Sequence, residues 1–392
     1  MLEITSNDKK AIENILCILD PGSFIEIGEK VEAGVVTGYG SIDGDLVYVF
    51  AQDDSIRGGS FGEKQANKLI RLYTAAIKSR APVIGFLDCS GIRIEEGLDA
   101  LNALADVYEI QAQASNQILQ IMIKCRECIG SMETMAAFAD VVISDGTEVR
   151  EKVFNLIKRL PASTSGDIPV IESEDNLNRL CSSIDEKRNC RTAMLGELSD
   201  DGFLIEVNQE KGEEISNSFI ALAGRTVGAI AAESGALISR DAAIKTSQFI
   251  NLCSKFQIPL LNVIGGGGFE DSESANTIVK ALVDSETMTV DLIPDNTCGS
   301  CYSVFSSKGK GRDYVFMWDE ASVQLMNPLF AADILHPNLS LRDLGEKAKE
   351  YEKSSCSAEA MAAKGYVDKI IKPEESRKYL IGAFETLANV RR

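Results

Sequence analysis

A chain of 392 residues with a formal net charge of −19 is too long for one ordinary hydrophobic core and predicts two domains. Its acidity excludes a nucleic-acid partner, because a phosphate backbone is held by a basic surface. No run of about 18 apolar residues is present, and the start MLEITSNDKKAIENI lacks the charged-then-apolar layout of a secretory signal, so a cytoplasmic protein is expected.

Ten cysteines and one histidine, His336, narrow the chemistry. Scattered thiols without a secretory leader fit a reducing compartment. The CxxC pairs Cys125/Cys128 and Cys298/Cys301 are far apart and carry no knuckle-like flanking turns, so small packed residues are expected there and no metal. A Ser-His-Asp or Cys-His mechanism would hang on His336, which precedes a proline in a loop-like context. Backbone donors and positioning are therefore the expected means of catalysis.

In chain order, a helical pattern over 9–19 and a Pro21-Gly22 turn lead to two strand-like runs within 34–51, joined by Asp43-Gly44, a strong hairpin signal. The glycine-rich loop Arg57-Gly58-Gly59-Ser60-Phe61-Gly62-Glu63 follows, then a helix over 64–79. This loop is neither a Walker sequence nor GxGxxG, and it reads equally as a phosphate cradle or a plain connection. A buried strand over 83–87 stops at Asp88-Cys89-Ser90-Gly91 and gives way to a helix over 96–115. Such a junction presents backbone N–H groups that can hold an oxygen carrying negative charge, or it is simply a tight turn. A strand over 118–123 ends at Gly130-Ser131, before a helix over 132–139 and a strand over 141–144. The pattern loosens over 151–195, and Ser163, Thr164, Ser165, Gly166 and Pro169 mark a linker. The expected domains are 1–165 and 196–392, with 166–195 crossing between them.

The second half repeats the first. Segment 224–231 answers 44–51, 241–256 answers 64–79, and 258–268 answers 81–91, at offsets of 180, 177 and 177 residues. A strand over 289–293 breaks at Thr297-Cys298-Gly299-Ser300-Cys301-Tyr302, answering 118–131. A period this long predicts a duplicated domain rather than a solenoid. Gly265-Gly266-Gly267-Gly268-Phe269 is costly in backbone entropy, so backbone must come close there to a ligand or to another strand. Beyond residue 343 the chain predicts helix, a turn with a short strand near 365–371, and a final amphipathic helix.

These residues, in this order, resemble the carboxyltransferase component of biotin-dependent acyl-CoA carboxylases and decarboxylases, from about Gly34 onward. The family pattern GGSxGExxAxKI is met by residues 58–69, PVIxxxDSGGARIQEG by 82–97, IPLxxxxDVPGF by 258–269, RxxYGGAY by the stretch ending Gly299-Ser300-Cys301-Tyr302, and AAxxGYVDxxIxPxExR by 362–377. The resemblance implies an α/β fold of two tandem crotonase-like domains, each made of ββα units. It implies homo-oligomers, dimer to hexamer, in which one chain's N-domain faces another's C-domain. It also implies a short acyl-CoA thioester as substrate, with Gly58, Gly59, Ser60, Gly62, Ser90, Gly91, Gly267, Gly268, Phe269, Gly299 and Tyr302 in the binding surface. Gly130 and Ser131 would serve the thioester oxygen, and Ser300 and Cys301 the ureido oxygen of biotin.

A lysine between two methionines, the biotin attachment pattern, does not occur. Biotin is thus expected on a separate carrier protein, with a biotin carboxylase or a membrane decarboxylase subunit as further partner. The chain departs from the pattern where glycine pairs become Gly130-Ser131 and Gly299-Ser300, and where DVPGF becomes Gly-Gly-Gly-Gly-Phe. Those departures leave two alternatives: a non-catalytic paralogue that scaffolds an assembly, and a biotin-independent crotonase-type enzyme with Glu95, Glu96 or Glu127 as acid or base.

Overall fold

A computed structural model describes residues 9–28, 33–126, 130–144, 146–207, 212–306, 308 and 312–390. The chain divides into two compact units, Met1–Pro169 and Val170–Arg392.

The first unit runs α1 (Lys9–Ile18), β1 (Ile25–Glu26), β2 (Val35–Ile42), β3 (Asp45–Gln52), α2 (Glu63–Ser79), β4 (Val83–Leu87), α3 (Gly97–Ser115), β5 (Gln120–Lys124), α4 (Ser131–Ala137), β6 (Val141–Ser144) and α5 (Val149–Arg159). Its six strands lie side by side in chain order. The β2–β3 pair is antiparallel, and β3 to β6 are parallel. Helices α2, α3 and α4 make the crossovers that parallel pairing requires. The hairpin closes through Asp43 and Gly44, both at positive φ, as a two-residue turn matched to strand twist demands. Strand β4 is buried throughout, which explains why it reads as a continuous apolar run rather than an alternation.

The second unit runs α6 (Arg191–Leu198), β7 (Leu204–Glu206), β8 (Ile215–Leu222), β9 (Arg225–Ala232), β10 (Leu237–Ile238), α7 (Arg240–Lys255), β11 (Leu260–Val263), β12 (Gly268–Phe269), α8 (Ser272–Asp284), β13 (Thr289–Ile293), β14 (Thr297–Cys298), α9 (Gly299–Cys301), β15 (Tyr314–Trp318), β16 (Val323–Gln324), α10 (Pro328–Leu335), α11 (Leu341–Tyr351), α12 (Ala358–Ala363), β17 (Lys369–Ile371) and α13 (Ser376–Val390). Its main sheet has the order β17-β15-β13-β11-β9-β8-β7.

The two sheets share one register. Tyr48 pairs with Val83 and Gly228 with Leu260, so the offsets of 180 and 177 read from sequence are those of paired strands. One strand further on, Gly85 pairs with Met122 and Asn262 with Asp291. The second hairpin also turns through two residues at positive φ, Ala223 and Gly224. Each unit is an α/β ββα repeat of crotonase type.

Several elements go beyond the expectation from sequence, α5, β15 and α10 among them. Helix α5 lies in the stretch read as loosening, yet Val149, Val153, Leu156 and Ile157 are buried on one side of it at the i, i+4, i+7, i+8 spacing of a helix. Charged residues around them mask that stripe. The segment read as a crossing linker is part of the second unit from Val170 on. There the Ile171 amide donates to the Gly224 carbonyl at 2.9 Å and the Cys181 amide to the Glu374 carbonyl at 2.9 Å.

Arg377, in α13, is fully buried. Its guanidinium lies 2.7 Å from Asp200 Oδ1 and 3.4 Å from Asp175 Oδ2, and it donates to the Leu198 carbonyl at 2.9 Å. Asp200 in turn accepts the Ala223 and Gly224 amides. One guanidinium thus joins the last helix, the 175–200 segment and the β8–β9 hairpin.

Candidate active site

In the first unit two glycine-bearing loops are laced together. The Phe61 amide donates to the Gly91 carbonyl at 2.7 Å, and the Arg93 amide to the Phe61 carbonyl at 2.8 Å. The Ser90 amide donates to the Gly58 carbonyl at 3.3 Å, while the Gly91 amide meets Cys89 Sγ at 3.4 Å. Glycine is needed at Gly59, where φ is +69° and a Cβ would stand 2.2 Å from the Asp88 carbonyl oxygen. The amides of Ser90 and Gly91 are therefore used internally, and this pair of loops forms a stiff wall.

Arg93 and Glu96 lock the same wall. Arg93 is buried, donates to the Ala33 carbonyl at 2.8 Å and pairs with Glu96 Oε1 at 3.1 Å. Glu96 Oε2 accepts the Glu63 amide at 2.7 Å, at the start of α2. Burial pushes the Glu96 carboxyl up, but the Glu63 amide and Arg93 outweigh it and hold it below the usual range. Asp88, buried where β4 ends, is paired with Arg126 and with Lys10 Nζ at 2.9 Å. The Asp88 hydrogen bond raises the Lys10 ammonium above its ordinary range.

Next to this wall β5 leads to Gly130, at φ +58° and ψ −118°, and to α4 beginning at Ser131. No side chain crowds Gly130; its backbone angle alone calls for glycine. The Glu133 and Thr134 amides turn back to the Gly130 carbonyl at 3.1 and 3.2 Å, while Ser131 and Met132 head a helix, where N–H groups have no carbonyl a turn behind them. Tyr108 Oη donates to the Ser131 carbonyl at 2.6 Å and fixes the turn from α3. Glu127 and Cys128 lie outside the described residues.

The second unit repeats this junction. Strand β13 leads through Thr297 and Cys298 to Gly299, Ser300 and Cys301, which start a helical stretch running to Ser306, its last five residues a π-helix. Ser300 is exposed and Cys301 fully buried. The Cys301 thiol donates to the Gly268 carbonyl at 3.6 Å, and burial pushes it up to about 12. Phe269 stacks on Phe305 with ring centres 6.3 Å apart. Tyr302, half-buried, packs against the core of the unit.

The four glycines at 265–268 lie against this turn, and protein atoms occupy the space their side chains would need. A Cβ on Gly265 would meet Arg191 Nη2 at 2.4 Å, one on Gly266 the Cys301 sulfur at 2.8 Å, and one on Gly267 the Gly235 carbonyl at 2.3 Å. Gly268, at φ +140°, pairs through β12 with β10. Of the two readings of this run, close backbone packing accounts for the first three glycines.

The expected site residues thus fall into two sets, one in each unit. The first holds Gly58, Gly59, Ser60, Gly62, Ser90, Gly91, Gly130 and Ser131; the second holds Gly267, Gly268, Phe269, Gly299, Ser300, Cys301 and Tyr302. His336 caps the C-terminal end of α10 and is exposed. Among the described residues, no three or more His, Cys, Asp or Glu gather as a metal site.

The two units share one feature: in each, a parallel strand leads into a turn whose helix-start amides are not used by a preceding turn, Ser131 in the first and Gly299-Ser300-Cys301 in the second. Comparison with known proteins gives the family. The carboxyl transferase domain family matches over residues 4–144 and 131–392. A putative propionyl-CoA carboxylase beta chain of Bacillus subtilis is 31% identical, the alignment covering 97% of this chain and 90% of that one. The methylmalonyl-CoA decarboxylase subunit alpha of Veillonella parvula is 26% identical with the same coverage. Among solved structures, transcarboxylase 12S, a hexamer assembly with hydrolysed methylmalonyl-coenzyme A bound, superposes with a TM-score of 0.89 at 23% identity, covering 98% of this chain and 92% of that one. The chain belongs to the carboxyl transferase domain family and is a carboxyltransferase of the biotin-dependent acyl-CoA type.

Proposed function

We propose that the chain catalyses the step in which a carboxyl group passes between a short acyl-CoA and carboxybiotin held on a separate carrier protein. The observation that carries this reading is the repetition of one turn at equivalent places: β5 into α4 at Gly130-Ser131, and β13 into α9 at Gly299-Ser300-Cys301. Carboxyl transfer develops negative charge on two oxygens, one on the thioester and one on the ureido group, and each needs fixed donors. The amides at Ser131 would hold the thioester oxygen as the α-carbon becomes carbanion-like. Ser300 is exposed at a helix start, which suits a donor to an incoming ring oxygen, so the amides of Ser300 and Cys301 would hold biotin. Biotin, when bound, supplies the transferable N-carboxyl group; the chain supplies orientation and charge stabilisation.

A biotin-independent acid–base enzyme is the weaker reading. Of its candidates Glu96 is committed to Arg93 and the Glu63 amide, which removes it as a free base. We also propose that the chain acts as a homo-oligomer with a carrier protein and a biotin-carboxylating or membrane decarboxylase subunit. The apolar residues Leu325, Phe330, Ile334 and Leu341, exposed by 67–89%, support self-association, since patches of this kind mark interfaces. The test is to incubate the purified chain with malonyl-CoA, methylmalonyl-CoA or glutaconyl-CoA, with and without free biotin, and follow loss of the carboxyl group. The reading expects turnover that requires biotin. Turnover without biotin would favour the acid–base enzyme, and absence of both turnover and CoA binding would favour a scaffold.

A further inference from the structure

The second unit contains a charge pair that its fold does not require. Asp291, in β13, has no solvent exposure, and Arg312 is nearly as buried. Arg312 Nε stands 3.6 Å from Asp291 Oδ2, and Asn262 Nδ2 donates to Asp291 Oδ1 at 2.7 Å from the adjacent strand β11. Burying two charges carries a desolvation cost, and apolar replacements of such pairs are often as stable or more so. The first unit does without the Asn262–Asp291 side of this pair. At the register positions of Asn262 and Asp291 its sheet has Gly85 and Met122, and it forms the same parallel strands around them. The pair must therefore be kept for something other than the sheet.

What it touches shows what that is. Arg312 Nε donates to the Phe305 carbonyl at 2.8 Å. Phe305 lies near the end of the helical stretch that begins with Gly299, Ser300 and Cys301. The N-terminal end of this stretch is held by the Cys301 thiol on Gly268, and the far end by Arg312. A π-helix is rare and geometrically poorer than an α-helix, so a short stretch of this kind needs anchoring at both ends if its leading amides are to keep one direction. Asn262 orients Asp291, the charge of Asp291 draws the guanidinium to within 3.6 Å without a hydrogen bond, and the guanidinium donates to the carbonyl.

We infer that Asp291 and Arg312, oriented by Asn262, are positioning residues that aim the backbone donors of the Gly299-Ser300-Cys301 turn at the biotin-side oxygen. As a statement about catalysis this rests on the function proposed above; as a statement about the turn it does not. The test is the double variant Asp291→Met/Arg312→Met, which copies the apolar solution at Met122. Amide hydrogen exchange over residues 299–306 and steady-state kinetics with free biotin are measured beside wild type. The inference expects faster exchange over 299–306 with unchanged exchange in β8 and β9, kcat lower by about a hundredfold, the scale of a displacement of about 1 Å, and unchanged affinity for the CoA ester. Wild-type exchange over 299–306, or wild-type kcat in the folded variant, would overturn it. Should the double variant fail to fold, Arg312→Lys keeps the charge opposite Asp291 but loses the Nε donor to Phe305, and the same two outcomes decide. If the wild-type chain shows no biotin-dependent turnover, the proposed function fails, and exchange over 299–306 still decides the positioning role.

Discussion

At the level of single residues, glycine is compulsory at Gly59, where a Cβ would strike the Asp88 carbonyl, and at Gly130, where the backbone angle excludes other side chains. Gly59 and Gly130 are legible because a glycine before a helix signals a backbone that bears no side chain. Asp291 and Arg312 belong to no motif, and a lone aspartate within an apolar strand gives no hint that its neighbour in space is Asn262. Burial pushes Asp291 up to about 7 although Arg312, Asn262 and Lys308 oppose this; Asp313 adds to it, and Tyr302 is a further neighbour. A carboxyl raised in the folded state above its unfolded value near 4 favours folding most below about pH 4, and that contribution is lost as pH rises to about 7. The Asp291→Asn variant should therefore gain stability relative to wild type as pH increases through that window. Urea titrations at several pH values check this, and a constant difference would refute it.

Elements were legible where periodicity or repetition spoke clearly. The offsets of 180 and 177 residues predicted strands that pair in equivalent register, because duplication preserves which residue faces which. Helix α5 escaped because charges crowd its apolar stripe, and β15 because a buried strand of five residues cannot be told from a helix fragment by period alone. The junction of α13 with the rest of its unit was invisible for another reason: Arg377 sits at the end of a family pattern, yet its partners Asp175 and Asp200 lie some two hundred residues earlier. Hydrogen bonding to Arg179 comes first among the influences that hold Asp175 below the usual carboxylate range. Removing the guanidinium in Arg377→Ala leaves two carboxylates without their shared partner, and a loss of about 3–5 kcal/mol is expected. Chemical denaturation measures this, and a variant within about 1 kcal/mol of wild type would show that Arg377 is not a keystone.

For the molecule as a whole, sequence showed two similar units and the family to which they belong, and structure added which surfaces are left over. Helix α10 exposes Phe330 and Ile334, one helical turn apart, by 68% and 67%, and an exposed apolar face of this kind suits a partner surface. Replacing both by glutamate should shift the sedimenting species towards the single chain without lowering helix content by circular dichroism; an unchanged sedimentation coefficient would remove α10 from the interface. Among the described residues no helix is long and apolar enough to cross a membrane. In the proposed function Ser300 works through its backbone N–H, so its hydroxyl is dispensable and its amide hydrogen is not. Proline is tolerated in a first helical turn and has no N–H, which makes Ser300→Pro and Ser300→Ala the decisive comparison in biotin-dependent loss of the carboxyl group from methylmalonyl-CoA. Alanine should keep nearly all the activity, while proline should lower kcat by about 10²–10³, the effect of losing one oxyanion donor; equal activity in the two variants would contradict the account.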